Sequence, residues 1–241
     1  MIRVCSLLVL LCALASPARA GLDLDAWDSL LGAAVNRGQV DYAMWAANPA
    51  FDALVEQIAT TRTADMDVRQ KLVFYINAYN ILAARGILDG HSPDSLLGRY
   101  VYFKLDKYTV AGEQVSLYAL EHELLLPLKE PRVHFAIVCA SQSCPLLRSS
   151  AYRLASLDEQ LDQAAREFVN DPHRNQFDLA RREARLSSIF KWFDEDFIAA
   201  AGSVQSYVAR FAEDREVATR LRAGDFAVTY LPYDWSLNGT L

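Results

Sequence analysis

The stretch Gln70 to Arg85, QKLVFYINAYNILAAR, decides the fold, because it is apolar nearly all the way round at helical spacing. A surface helix carries one apolar stripe, whereas a helix lacking a polar face is buried. Gly86 follows in the position that a helix C-cap favours, so the expectation is a central buried helix over 70–85. Two amides interrupt it: Asn77 and Asn80, three residues apart, share one stripe. A buried amide left unpaired costs on the order of 1–3 kcal/mol. Asn77 and Asn80 therefore either tie the helix to neighbouring backbone or face a site, as an oxyanion donor or the orienter of a histidine.

Outward from that helix the pattern is α+β. Leu22 to Asn36 is helical in spacing, through Leu24, Trp27, Leu30, Leu31 and Ala34, and Phe51 to Thr60 is a second helix. Tyr100 to Val115 alternates brokenly about Ala111-Gly112, as a hairpin does, and Ser116 starts a helix through Leu125. Val133 to Val138 reads as a buried strand, and Asp158 to Val169 as an amphipathic helix ending at Asn170-Asp171-Pro172. Phe177 to Ala180 and Ala184 to Leu186 flank the turn Arg181-Arg182-Glu183, a second hairpin. Ser187 and Ser188 precede a short helix through Phe193; Phe226 to Tyr230 is strand-like, and the aromatic tail around Tyr233 and Trp235 is expected to dock.

The first 20 residues carry Arg3, the apolar run Val4 to Ala15 and then Pro17-Ala18-Arg19-Ala20, the charge, core and A-x-A order of a secretory signal. The expectation is cleavage after Ala20, export to the periplasm or beyond, and one globular domain over residues 21–241. The apolar run is shorter than the roughly 20 residues that span a bilayer, and no later segment is long enough. The net charge is −6, more negative still without Arg3 and Arg19, which disfavours nucleic acid and anionic lipid as partners.

Chemistry-bearing residues gather in two places. On the helix from Ser116, Leu117, Leu120, Leu124 and Leu125 mark the buried arc, and the same wheel sets Glu121 among them. A carboxylate there must pair with a cation or a backbone amide, or be held protonated by desolvation, as catalytic carboxyls are. The second place is Val133 to Pro145, VHFAIVCASQSCP, which joins His134 to Cys139 and Cys144. In a regular strand His134 and Cys139 face opposite sides and lie about 16 Å apart, so Cys144, beyond a loop that can turn back, is the freer partner for the histidine. A Cys139–Cys144 disulfide competes with that reading, since an exported chain meets oxidising conditions; it would brace the loop or act as a switchable redox pair. His134, Cys139 and Cys144 have no recognised zinc spacing and no fourth ligand, so no metal and no cofactor are called for.

FYINAYN at 74–80, VSLYALE at 115–121, PRVHFAIVCASQSCPLL at 131–147, LSSIFKWFDEDF at 186–197 and YDWSLN at 233–238 together resemble the domain of unknown function 547 family. VDYAMW near Val40 is similar to that family's early segment. The resemblance implies a bacterial exported protein similar in fold to the papain and transglutaminase superfamily, with a buried central helix on a small, mostly antiparallel sheet and flanking helices. Such enzymes set a nucleophilic cysteine at the start of the helix and a histidine on a strand packed against it; here the helix has no cysteine. Two functions follow as expectations. One is a cysteine-dependent amide or thioester hydrolase or transferase, with Cys144 or else Cys139 as nucleophile, His134 as base, Glu121 orienting it and Asn77 or Asn80 near the oxyanion. The other is a non-catalytic binding or structural module braced by the disulfide.

Overall fold

Asp67 starts the central helix: its carboxylate accepts from the Gln70 N–H while the Gln70 side chain accepts from the Asp67 N–H, a reciprocal cap. The computed structural model describes residues 21–241; the secretory-signal reading of residues 1–20 lies outside the described residues. The helices are α1 (Leu24–Ala34), α2 (Pro49–Thr60), α3 (Val68–Leu88), α4 (Leu96–Tyr100), α5 (Leu117–Ala119), α6 (Leu157–Asn170), α7 (Ile189–Trp192), α8 (Asp194–Ala201), α9 (Val204–Val208) and α10 (Arg215–Ala223). The strands are β1 (Val35–Asn36), β2 (Gln39–Asp41), β3 (Tyr108–Val110), β4 (Glu113–Val115), β5 (Gln176–Asp178), β6 (Glu183–Leu186), β7 (Ala227–Tyr230) and β8 (Gly239–Thr240).

The α+β mixture is present, with helix predominating. Every residue of α3 from Leu72 to Ala84 is buried. Its packing partners differ from those expected: it lies against α2, α5 and the turns around them rather than on a sheet. The strands form three small sheets, β1-β2-β8, β3-β4 and β5-β6-β7, and each three-stranded sheet pairs one neighbour antiparallel and the other parallel. The β3-β4 hairpin turns at Ala111 and Gly112, both at positive φ, and their N–H groups donate to Ile58 and Ala59 at the end of α2.

Gly86 does not cap α3, which runs on to Leu88 and ends through Gly90 at positive φ. Its lack of a side chain serves packing instead. A Cβ at Gly86 would lie 2.7 Å from Tyr108 Oη and 2.9 Å from the Tyr102 ring.

Residues 100–105 also depart from the hairpin reading, continuing α4 as a π-helical turn over Val101–Leu105. The larger departure is Val133 to Val138. The segment is buried but is no strand: Pro131–Phe135 is a 3-10 turn, and Ala136 and Ile137 donate back to the Val133 carbonyl. A side chain takes the place of a neighbouring strand, for Asn80 Nδ2 donates to the Ala136 carbonyl at 3.0 Å and Asn80 Oδ1 accepts from the Val138 N–H at 2.8 Å. Asn77 does the same for the chain before α6, bonding both the carbonyl and the N–H of Tyr152. Two apolar clusters result, one around α1 to α3 and one around α6 to α10, and Phe135 of this turn belongs to the second while its neighbours Val133 and Ala136 belong to the first.

Candidate functional site

Ser116 caps α5 by accepting from the Ala119 N–H, and the helix then widens into a π-helical turn over Leu120–Leu125 that carries Glu121 and His122. Such turns shift side chains out of the regular helical register and recur at functional sites. This one and the π turn after α4 supply parts of the wall of one cavity of about 310 Å³. Phe103, Lys104, Glu121 and His122 come from these two stretches, Tyr118 from α5 and Tyr79 from the middle of α3. His134, Ile137, Cys139, Cys144 and Pro145 come from the segment after α5, and Trp192, Phe193, Tyr233 and Trp235 close the rest with aromatic rings. Trp192, Tyr233 and Trp235 pack on one another with ring centres 4.5 to 5.8 Å apart, so the tail docks as its composition implied. Arg99 lies over Trp235, and exposed Lys104 over Tyr118.

Glu121 lines this cavity together with Arg99 and Lys104 and makes no salt bridge among the described residues. Desolvation alone raises its carboxyl to about 8, so the group is largely protonated at neutral pH. His134 is 3% exposed and stacks on Phe193 at 4.0 Å, with Phe197 edge-on at 5.3 Å. Its Nε2 lies 2.9 Å from Asp196 Oδ2. Two effects oppose each other on the ring: burial lowers its pKa, and the Asp196 carboxylate raises it. Burial wins, and the imidazole is neutral near pH 7, while the same hydrogen bond holds Asp196 below its ordinary value. A carboxylate can only accept, so Nε2 carries the proton and Nδ1 is left as an acceptor. Nδ1 is buried and has no partner among the described residues.

Cys139 and Cys144 are joined in a disulfide, with Cα atoms 6.2 Å apart. The expectation that strand parity separates His134 from Cys139 fails with the strand itself: His134 and both cysteines line the same cavity. Ala140, between them, is held at φ +60, which costs a non-glycine residue about 1 kcal/mol or more. The loop beyond it is strapped to the tail: Gln142 and Ser143 donate to the carbonyls of Ser236 and Asp234, and Asn238 donates to the Ala140 carbonyl. Arg174 reaches in from the far side, donating to the carbonyls of Cys144 and Gln142.

Of the residues singled out from the sequence, Glu121, His134, Cys139 and Cys144 therefore meet at one cavity. Asn77 and Asn80 do not line it; both spend their amides on backbone. Sequence reasoning passed over Asp196, 62 residues from its histidine, and Tyr233, whose hydroxyl lies within 3.4 Å of both sulfurs. Nothing local marks either one, although both fall inside the quoted stretches LSSIFKWFDEDF and YDWSLN.

Among the described residues no group of three or more His, Cys, Asp or Glu could hold a metal ion, and no helix is long and apolar enough to cross a membrane. No curated protein and no solved structure matches the chain. Residues 63–169, which contain α3, Glu121, His134 and the disulfide loop, match the model of the family described as Protein of unknown function, DUF547.

Proposed function

We propose that this chain is an exported protein that binds a small, largely apolar molecule in the cavity, with Glu121 and His134 recognising one polar group on it. The observation that carries this reading is His134 Nδ1, buried and without a partner among the described residues, in a cavity rich in aromatic rings that also holds the protonated Glu121 carboxyl. A buried polar group without a partner costs stability, so a cavity that keeps one beside a desolvated carboxyl is built for something that completes it. Protonated Glu121 offers an O–H donor and a carbonyl acceptor, and His134 Nδ1 offers an acceptor. An amide joined to an aromatic or aliphatic body matches that set. The rings of Trp192, Tyr233 and Trp235 suit the body. The disulfide supports binding over catalysis, because bonded sulfurs are not nucleophiles.

The test is calorimetric titration of the oxidised protein with N-acetyltryptophanamide and aliphatic amides as probes. Saturable binding that weakens at least tenfold in Glu121→Ala is expected. No saturable binding to any aromatic or aliphatic amide would overturn the reading.

One observation favours a second reading, a cysteine-dependent amide or thioester hydrolase of papain or transglutaminase-like descent. Asp196 holds the His134 ring with Nδ1 free as a base, and both sulfurs share its cavity. Once the disulfide is reduced, a cysteine thiol can give its proton to Nδ1 and attack a bound carbonyl. Activity on thioester probes that appears only with reductant and vanishes in His134→Ala supports it. Equal rates with and without reductant exclude it.

A further inference from the structure

We propose that Cys139–Cys144 is a thiol–disulfide exchange site in which Cys139 is the sulfur attacked and Cys144 the one that leaves. The inference rests on how differently the two sulfurs are surrounded, and it is independent of the amide-binding reading. Cys144 is 2% exposed, whereas Cys139 is only partly buried. An incoming thiolate therefore reaches Cys139 through the cavity. The Cys144 sulfur has the donors: the Cys139 N–H at 2.9 Å, the Ser141 hydroxyl at 3.4 Å and the Tyr233 hydroxyl at 3.3 Å. Both hydroxyls also lie near the Cys139 sulfur, at 3.2 and 3.4 Å, but the backbone N–H serves Cys144 alone. When Cys139 is capped by an external thiol, both hydroxyl protons are free to turn to the Cys144 thiolate. Three donors to one sulfur favour its anion, and a thiol of low pKa leaves faster.

A cysteinyl thiolate of the glutathione class attacks Cys139 Sγ, the Cys139–Cys144 bond breaks, and its electron pair leaves on Cys144 Sγ. A second external thiolate then attacks the sulfur that was added to Cys139 and releases the external disulfide. Cys139 and Cys144 take up protons from solvent, and two electrons have passed from two external thiols to the protein. The loop need not collapse, because the tail and Arg174 hold its backbone without the disulfide.

The test uses the unmodified chain in glutathione redox buffers, acid-quenched and mapped by mass. The fraction reduced should pass through one half within the range of these buffers, and the trapped glutathione adduct should sit on Cys139. A disulfide that stays oxidised throughout, or an adduct mainly on Cys144, would overturn the proposal. Thiolate absorbance of Cys139→Ser should show Cys144 titrating below the ordinary value of about 8.5. Tyr233→Phe in that background should raise the midpoint by about one pH unit. If Cys139→Ser does not fold, the reduced unmodified chain gives the same titration, with the lower of two midpoints assigned by the Tyr233→Phe shift. A Cys144 midpoint at or above 8.5 would equally overturn the proposal.

Discussion

Nε2 of His134 stands 2.9 Å from Oδ2 of Asp196, at the boundary between the two apolar clusters, and this one hydrogen bond fixes which face of the imidazole is basic. The ring has 1% side-chain exposure and the carboxylate 28%. The proton is therefore held towards Asp196, and Nδ1 is left as the buried acceptor of a ring that lines the cavity. Long-range nitrogen–proton NMR should show the Nε2–H tautomer in the folded protein, and Asp196→Asn should release it. An Nδ1–H tautomer would contradict the assignment.

The same pair sets a pH dependence. The imidazole pKa lies below 6.5 in the folded protein, so its contribution to stability is complete above 6.5 and is lost as the unfolded chain takes up its proton at lower pH. Asp196 lies below 3.8, and its contribution is present above that value and is lost as pH falls through the folded pKa. Both slopes point the same way. In the Glu121→Gln background, which removes an opposing titration, denaturant titrations from pH 7 to pH 3 should show stability falling, and less steeply when His134→Phe is added.

Glu121 runs the other way. Its carboxyl titrates near 8 against an ordinary 4.5, so the protonated form stabilises the fold, and that contribution declines as pH rises from 4.5 through about 8. The cost of ionisation inside the apolar wall is on the order of a few kcal/mol. Glu121→Gln, which cannot ionise, should flatten stability over that window. Carbon-13 NMR of the carboxyl gives the midpoint directly, and a value near 4.5 would show that the cavity does not desolvate the group.

Much of the architecture was legible because it is local. Helix α6 and the cap at Ser116 follow from spacing and from a side chain that bonds its own first turn. The segment 133–138 was misread for a physical reason: a short apolar run records burial but not which partner satisfies its backbone, and here that partner is a side chain, Asn80, 58 residues away. The site divided along the same line. Glu121, His134 and the cysteines stand out by residue type against apolar surroundings. Trp192 and Tyr233 become part of the cavity, and Asp196 the partner of His134, only when the C-terminal third folds against the rest of the chain.

Asn77 and Asn80 anchor that assembly. Alanine at either position leaves a backbone carbonyl and an N–H unpaired in the interior, so each substitution should cost on the order of 1–3 kcal/mol or more, read as a lower thermal midpoint. Asn80→Ala should also loosen the segment leading into Cys139, seen as faster amide exchange at Val138. Unchanged stability in both variants would remove the structural role assigned to these amides.

Gly86→Ala reverses a familiar rule. In an exposed helix interior the change favours folding by roughly 0.5–1 kcal/mol. Here the added methyl meets Tyr108 Oη and the Tyr102 ring at 2.7 and 2.9 Å, and overpacking of this kind costs about 1–3 kcal/mol. A lower unfolding midpoint is expected.

A ligand in the cavity should complete the free Nδ1 of His134 and bond the protonated carboxyl of Glu121. The most direct measurement is nitrogen-15 NMR of the oxidised protein, following His134 Nδ1 and the indoles of Trp192 and Trp235 while an aromatic amide is added. The account predicts saturable shifts at all three with one midpoint, abolished by Glu121→Ala. Indole shifts without any response at Nδ1, or no saturation, would contradict it.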